Sequence, residues 1–234
     1  MENKRSFITI IVLDLSVFVL MIIGISFSIF DVRFMIDLPR LSSQPILMTF
    51  TGLSNVFIGL VCLGCALYRI IKKEMTLPVY LLLIKIIALA DITITFVITA
   101  TYLAPSIGFS WWRLYINNNI FNHFLTPLIA IISFIVLERS VKFNWRFCFL
   151  SLVPLFLYGI LYLTNVYTHL TSEGKTDLAY DIYGFCRFGT GVLVLFLGGF
   201  MAISFGLTLL YWFLNKQKRS WYFSWIFTLC EDMV

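Results

Sequence analysis

Two short polar stretches, in otherwise apolar segments, contain the residue types that acyl-transfer chemistry requires. In the first stretch Thr51, Ser54 and Asn55 lie three or four positions apart, so they share one face of a helix. Asn119 and His123 have the same spacing in the second stretch. A histidine near a hydroxyl can take its proton, the alkoxide can attack an ester carbonyl, and amides can hold the oxyanion. The alternative is structural, because such side chains commonly hydrogen-bond across packed membrane helices.

The elements that carry these residues are predicted to be membrane-spanning helices. Of the 234 residues, 60% are hydrophobic and only 12% are charged, and the mean hydropathy is +0.94. A bilayer core needs about 20 apolar helical residues to cross, and continuous apolar runs do not match the alternating pattern of membrane strands. The sequence therefore predicts one domain, an all-α integral membrane bundle of six transmembrane helices. The predicted spans are Phe7 to Phe30, Pro45 to Arg69, Leu77 to Leu103, Asn118 to Leu137, Phe147 to Asn165 and Thr190 to Leu214.

Most of the basic residues fall on one side of such a bundle. By the positive-inside rule, this asymmetry predicts that both termini are cytoplasmic. A membrane surface accounts for the net charge of +5 without nucleic acid. The basic residues on the predicted cytoplasmic side are Lys4, Arg5, Arg69, Lys72, Lys73, Arg139, Lys142, Arg146, Lys216, Lys218 and Arg219.

The predicted spans place the two polar stretches at the same depth. Thr51 and His123 each lie about 8 Å below the outer boundary, at 1.5 Å per helical residue, so they can meet if their helices are neighbours. Pro127 lacks an N–H and leaves the carbonyl of His123 without its usual helical partner. That carbonyl is expected to bind water or a side chain, which favours a polar pocket in the outer half of the bundle.

Other charged residues lie at membrane depth. Asp14 and Lys85 have equal depths from the cytoplasmic side and are predicted to form a structural ion pair. Asp91 lies near mid-membrane with no cation in register. It either orients His123 as the third member of a relay or accepts a hydrogen bond from Tyr158 or Tyr162.

Two segments outside the spans contain clusters of aromatic residues. The connection from Thr168 to Gly189 is polar at first and then aromatic, so it either folds back over the outer end of the bundle or is a solvated loop. The tail from residue 215 to 234 follows the last span. Its aromatic part is too short to cross a bilayer, which favours a cytoplasmic or interfacial segment.

The residues of both polar stretches resemble a known family. TFTGLSNVFIGLVCL, from Thr49 to Leu63, and NHFLTPLIAIISFIVLE, from Asn122 to Glu138, are similar to the androgen-induced membrane hydrolase family and its bacterial six-span relatives. The resemblance implies that Thr51 is the nucleophile and His123 the base of an intramembrane esterase acting on fatty acid esters, with Asn119 in the place of the family's Asn. Thr49 is a rival position for the nucleophile.

The sequence predicts a lipid-ester hydrolase with Thr51 and His123 as catalytic residues and Asn55, Asn119, Ser54, Asp91 and Tyr162 as supporting residues. Membrane lipids and an amphipathic ester are the expected partners, and the plasma membrane is the expected location. No cofactor, metal or nucleic acid is expected, because no phosphate loop, zinc helix motif or basic nucleic-acid patch is present. The alternative function is a non-catalytic lipid-binding protein or a small-solute transporter.

Overall fold

The computed structural model describes residues 2–32, 45–106, 108–138, 142–171, 176–177, 180–181, 183–186 and 190–217. Within these residues six helices are long and apolar enough to cross a membrane, so the described structure is all-helical and has the helices that a multi-pass membrane protein requires. The first three residues of the predicted tail, 215–217, belong to the last helix, and the rest of the tail lies outside the described residues. The six helices are α1 (Glu2–Ile29), α2 (Phe50–Lys72), α3 (Val79–Leu103), α4 (Asn118–Leu137), α5 (Trp145–Thr168) and α6 (Thr190–Gln217).

The helices run alternately up and down. We call the end where α1 begins and α6 ends the base of the bundle, and the opposite end the top. Helix α1 packs against α2 and α4, and α3 packs against α2, α4 and α6. Helix α5 contacts α6 and touches α3 through its first, 3₁₀-helical turns, Trp145–Ser151. The described helices therefore form a compact four-helix unit, α1–α4, with α5 joined to it near the base.

Helix α2 begins five residues later than the sequence predicted. Ile46–Met48 form a separate 3₁₀ turn, and Thr49 caps α2 by accepting a hydrogen bond from Gly52 N–H at 3.0 Å. A side chain at Gly52 would collide with the Ile46 carbonyl, because a Cβ there would lie 2.0 Å from its oxygen. Thr49 is thus occupied as a cap, and Thr51 lies in the first turn of α2 rather than five or six residues inside a span.

A buried ionic cluster joins the four helices of the compact unit near the base. Lys85 Nζ lies 2.8 Å from Asp14 Oδ1 and 2.7 Å from Glu138 Oε2. Arg69 binds the other oxygen of each carboxylate. All four side chains are at most 2% exposed. Two cations and two carboxylates balance in charge, which makes their burial tolerable.

The ion pair predicted between Asp14 and Lys85 is present, as one side of this larger cluster. Arg69, which the sequence analysis counted only among the basic residues of the cytoplasmic side, is fully buried. Glu138, one residue after α4, completes the cluster. It lies in a different part of the chain from the other three residues, so helical periodicity could not connect it to them.

Replacing Lys85 with methionine retains much of the side chain's length but removes the cation that bridges Asp14 and Glu138. We expect the free energy of unfolding to fall by about 3–5 kcal/mol, the usual cost of removing one partner of a buried ion pair. Lys72→Met, at an exposed position of α2, is the matched control and should leave stability unchanged. Thermal unfolding in detergent measures both variants. Equal melting temperatures for Lys85→Met and the wild type would contradict the role given to the cluster.

Candidate active site

The site is built on two widened helical turns that face each other near the top. Thr99–Leu103 in α3 and Phe121–Leu125 in α4 are π-helical, with the N–H of Ala104 bonded to the Thr99 carbonyl and that of Thr126 to the Phe121 carbonyl. A proline follows two residues after each turn, Pro105 in one helix and Pro127 in the other. Because proline has no N–H and crowds the preceding turn, the helix accommodates it by adding a residue there.

These turns bring a threonine hydroxyl to the histidine. Nδ1 of His123 lies 2.9 Å from Oγ1 of Thr99, within hydrogen-bonding distance. Thr99 is 1% exposed and His123 is 7% exposed, so the bond is shielded from solvent. Sequence reasoning missed Thr99. The available signal was the repeated Leu-x-Pro pattern at Leu103 and Leu125, which marks the same backbone distortion in two helices.

Asn55 ties α2 to α4 at the level of this hydrogen bond. Its Nδ2 donates to the carbonyl of Thr51 at 2.8 Å and to the carbonyl of Asn122 at 2.9 Å. The sequence predicted that the His123 carbonyl would recruit a side chain. The carbonyl that does so belongs to Asn122. In a π-helical register the N–H of a residue binds the carbonyl five positions earlier, and Pro127 has no N–H, so the Asn122 carbonyl is the one left without a helical partner. One amide therefore links the backbone of Thr51 to that of the residue preceding His123.

Asn122 fixes α4 against α1, a contact that the sequence analysis did not identify. Its Nδ2 lies 3.0 Å from Oγ of Ser28 and 3.4 Å from the carbonyl of Gly24. Nδ2 of Asn118, one turn away, also donates to Ser28, at 2.8 Å. A side chain larger than hydrogen at Gly24 would occupy the space of the Asn122 amide. This contact sets the rotation of α4 and hence the direction of His123.

Two of the predicted supporting residues have structural partners. Oγ of Ser54 lies 2.7 Å from Oγ1 of Thr95, which links α2 to α3. Asn119 donates to the carbonyl of Arg113 at 3.1 Å, in the connection that precedes α4. Ser54 thus helps to hold the site together, and Asn119 is engaged outside it.

Asp91 is not joined to the histidine or to the tyrosines of α5. It is 2% exposed, and its Oδ1 has no hydrogen-bond partner among the described residues. The described part of the chain contains no hydrogen bond from Asp91 to His123, Tyr158 or Tyr162. Tyr162 instead donates to Asp181 in the connection between α5 and α6. Neither arrangement considered for Asp91 from sequence is present in the described residues.

An apolar cavity of about 150 Å³ lies between the top halves of α3 and α5. Thr51, Thr95 and Thr99 contribute hydroxyl-bearing side chains to a wall that is otherwise mainly aliphatic and aromatic. Phe156 and Ile160 line the cavity and are 57% and 49% exposed on the surface of α5. In a membrane this surface faces lipid, so the cavity opens toward the hydrocarbon phase. Such a cavity suits an acyl chain better than a soluble metabolite.

The connection between α5 and α6 folds back over this cavity in its described part. Tyr183 and Phe185 line the cavity, and Tyr183 Oη accepts the Phe50 N–H at 3.0 Å. Burial raises the pKa of the Tyr183 phenol, and hydrogen bonds with the side chains of Tyr158 and Thr51 and the backbone of Phe50 and Thr51 oppose part of that rise. Of the two arrangements considered from sequence, the described residues match the folded-back one.

Thr51 and His123 do not form a direct hydrogen bond in the described structure, and they are connected through Asn55, which binds the carbonyls of Thr51 and Asn122. The Thr51 side chain is 8% exposed, lines the cavity and faces the phenol of Tyr183. The imidazole of His123 binds the second cavity hydroxyl, that of Thr99. Thr51, Thr99 and Tyr183 border the apolar cavity, and the imidazole is bonded to one of these three residues, Thr99. A hydroxyl, a base and a phenol are groups that acyl transfer uses.

Comparisons with protein-family models, with curated proteins and with solved structures found no match for this chain.

Replacing Gly24 with alanine tests the contact that orients α4. A Cβ at this position would lie 2.4 Å from Asn122 Oδ1 and 2.9 Å from the Phe121 Cβ, so we expect a loss of about 1–3 kcal/mol in the free energy of unfolding through overpacking. Gly198→Ala in α6 is the matched control, because among the described residues no neighbouring side chain or distant backbone atom lies within 4 Å of its added methyl group. Thermal unfolding of both variants is the measurement. Equal stability for both would show that α1 and α4 are not in close contact at Gly24.

Proposed function

We propose that the protein is an intramembrane hydrolase of lipid esters in which Thr51 is the nucleophile and His123 the base. The observation that carries the proposal is that Thr51 and Thr99 line an apolar cavity and that His123 is bonded to Thr99. The cavity opens on the surface of α5, so an acyl chain can enter from the bilayer without crossing water. The likeness of both polar stretches to the androgen-induced membrane hydrolase family supports the same assignment.

The proposed reaction proceeds through an acyl-threonine intermediate. A neutral His123 with its proton on Nδ1 donates to Thr99, which leaves Nε2 free to accept the Thr51 proton. The Thr51 oxygen adds to the ester carbonyl, and the alcohol leaves with the proton that the imidazole returns. Water then attacks the acyl-threonine while His123 takes its proton. The fatty acid departs, and the Thr51 hydroxyl is restored.

The hydrophobic cavity has two roles in this scheme. It binds the acyl chain, and it limits the water around the reacting carbonyl, so dipoles aimed at the carbonyl oxygen act in a low-dielectric space. Asn55 keeps α2 and α4 in register through the carbonyls of Thr51 and Asn122. Its Nδ2 is occupied by these two bonds, so we assign it to positioning the nucleophile and the base rather than to the oxyanion.

We further propose that both termini are cytoplasmic and that the protein resides in the plasma membrane. The excess of Lys and Arg at the base supports this orientation. The top of the bundle, with the cavity, then lies in the outer leaflet. The substrate would be an ester lipid of that leaflet.

Labelling with a fluorophosphonate probe tests the catalytic pair. We expect the wild-type protein in detergent to label, and Thr51→Ala and His123→Ala to lose at least 90% of the labelling. Thr101→Ala, at an exposed site one helical turn from Val97, and His169→Ala, at the top surface, are the matched controls and should label like the wild type. Full labelling of folded Thr51→Ala would remove Thr51 as the nucleophile.

Cysteine accessibility tests the orientation. In a cysteine-free variant, we expect Thr168→Cys at the top to react with a membrane-impermeant maleimide on intact cells. Lys73→Cys at the base should react only after the membrane is permeabilised. The reverse pattern would invert the topology and place the cavity in the inner leaflet.

A second function, lipid binding without hydrolysis, is favoured by one observation. The imidazole binds Thr99, and no hydrogen bond between His123 and Thr51 is present in the described structure. A protein of this kind would crosslink to a photoreactive fatty ester at cavity residues but would not release fatty acid or label with the fluorophosphonate probe. Release of fatty acid that depends on Thr51 would exclude this alternative.

A further inference from the structure

The Tyr183 phenol occupies a distinctive position in the cavity wall. It belongs to the connection between α5 and α6, yet its oxygen lies 3.0 Å from the Phe50 nitrogen at the start of α2. Thr51, the residue after Phe50, lines the same cavity as Tyr183. A residue far away in sequence is therefore brought beside the proposed nucleophile. The acyl-transfer scheme described above gives it no role.

The hydrogen bond from Phe50 determines how the phenol can act. The oxygen of Tyr183 accepts the Phe50 N–H, so the phenol's own proton remains available for donation. Its neighbours are the hydroxyls of Thr51 and Tyr158, and its side chain borders the cavity. An ester carbonyl placed for attack by Thr51 would lie within reach of this proton.

The position of Tyr183 is held from several directions. Its ring packs on those of Tyr162 and Phe185, with centroids 5.8 and 5.3 Å away. Asp181, two residues earlier, accepts hydrogen bonds from the Tyr162 phenol and from the Cys186 backbone N–H. Preorganised donors of this kind need no reorientation when charge develops on a substrate.

We propose that Tyr183 is a catalytic residue that donates a hydrogen bond to the carbonyl oxygen of the bound ester. This inference rests on the proposed hydrolase function and adds the missing oxyanion donor. As Thr51 attacks, the carbonyl oxygen gains negative charge and the Tyr183 hydrogen bond strengthens, while the phenol keeps its proton. No covalent bond to Tyr183 forms or breaks.

The protonation state of the phenol fits this role. Burial raises the pKa of Tyr183 above its ordinary value, so the group retains its proton throughout the physiological pH range. The contribution of the donor should therefore not vary with pH in that range. Any pH dependence of the hydrolysis rate in that range would then come from His123, the proposed base.

The first test is kinetic. Tyr183→Phe removes the hydroxyl and keeps the ring contacts, and we expect kcat for a fatty ester to fall about 100-fold with little change in KM, as for the loss of one oxyanion donor. Tyr102→Phe is the matched control, because Tyr102 packs on Phe185 with ring centroids 6.3 Å apart. It should retain wild-type kcat. Unchanged kcat in a folded Tyr183→Phe variant would overturn the proposal.

The second test does not depend on turnover. An ester with a ¹³C-labelled carbonyl is bound to the Thr51→Ala variant, and its carbonyl band is recorded by infrared difference spectroscopy. The same band is then recorded in the double variants Thr51→Ala/Tyr183→Phe and Thr51→Ala/Tyr102→Phe. We expect the band to lie at lower wavenumber whenever Tyr183 is present and to move up only when it is phenylalanine. A band that does not move, or an ester that does not bind, would overturn the proposal.

Together the tests separate the two claims. If the wild type shows no ester hydrolysis but the infrared band responds to Tyr183→Phe, the hydrolase function fails while the hydrogen bond to the ester stands. If hydrolysis requires Thr51 but neither kcat nor the infrared band responds to Tyr183→Phe, the hydrolase stands and Tyr183 loses its role.

Discussion

The structure depends on the need to neutralise charge that is buried at membrane depth. Asp14, Arg69, Lys85 and Glu138 come from four different parts of the chain and contact one another in a space almost closed to solvent. Removing any one of them leaves an unbalanced charge, so the four positions are coupled. Because each residue projects from a defined face, the cluster constrains the rotation of α1 to α4 about their axes. The rotation fixed at the base also helps to align the polar faces at the top of the same helices.

At the top, backbone hydrogen bonding sets a second constraint. In a membrane, a carbonyl that loses its helical partner must find another one. The prolines at positions 105 and 127 remove such partners, and the helices respond with π turns. One freed carbonyl, that of Asn122, is taken by Asn55, and the altered register brings Thr99 to His123. The same distortion therefore satisfies the backbone and assembles the polar wall of the cavity.

The sequence predicted the six helices and the Asp14–Lys85 contact well, because apolar length and charge burial are local properties of each segment. It placed the start of α2 wrongly, because the capping role of Thr49 depends on a 3₁₀ turn that hydropathy does not register. Thr99 and Tyr183 were not assigned to the site. Their importance arises from the π register and from the folding back of a connection, and neither follows from helical periodicity. The burial of Arg69 was not predicted for a related reason: a cation at a helix end is normally solvated, and only the arrangement of neighbouring helices reveals its burial.

Helix α5 contacts α3 near the base, and the cavity lies between the two helices at the top. The cavity and the charges that hold the helices together are therefore at different places in the fold. None of the four clustered charges belongs to α5 or α6, whereas Leu155, Gly159 and Met201 on these two helices line the cavity. Side-chain volume at these positions can change without disturbing the electrostatic framework. Under the proposed function, the length and branching of the bound hydrocarbon can therefore change without altering the buried charges. Substrate range would then be the property of this scaffold that evolution can alter most freely.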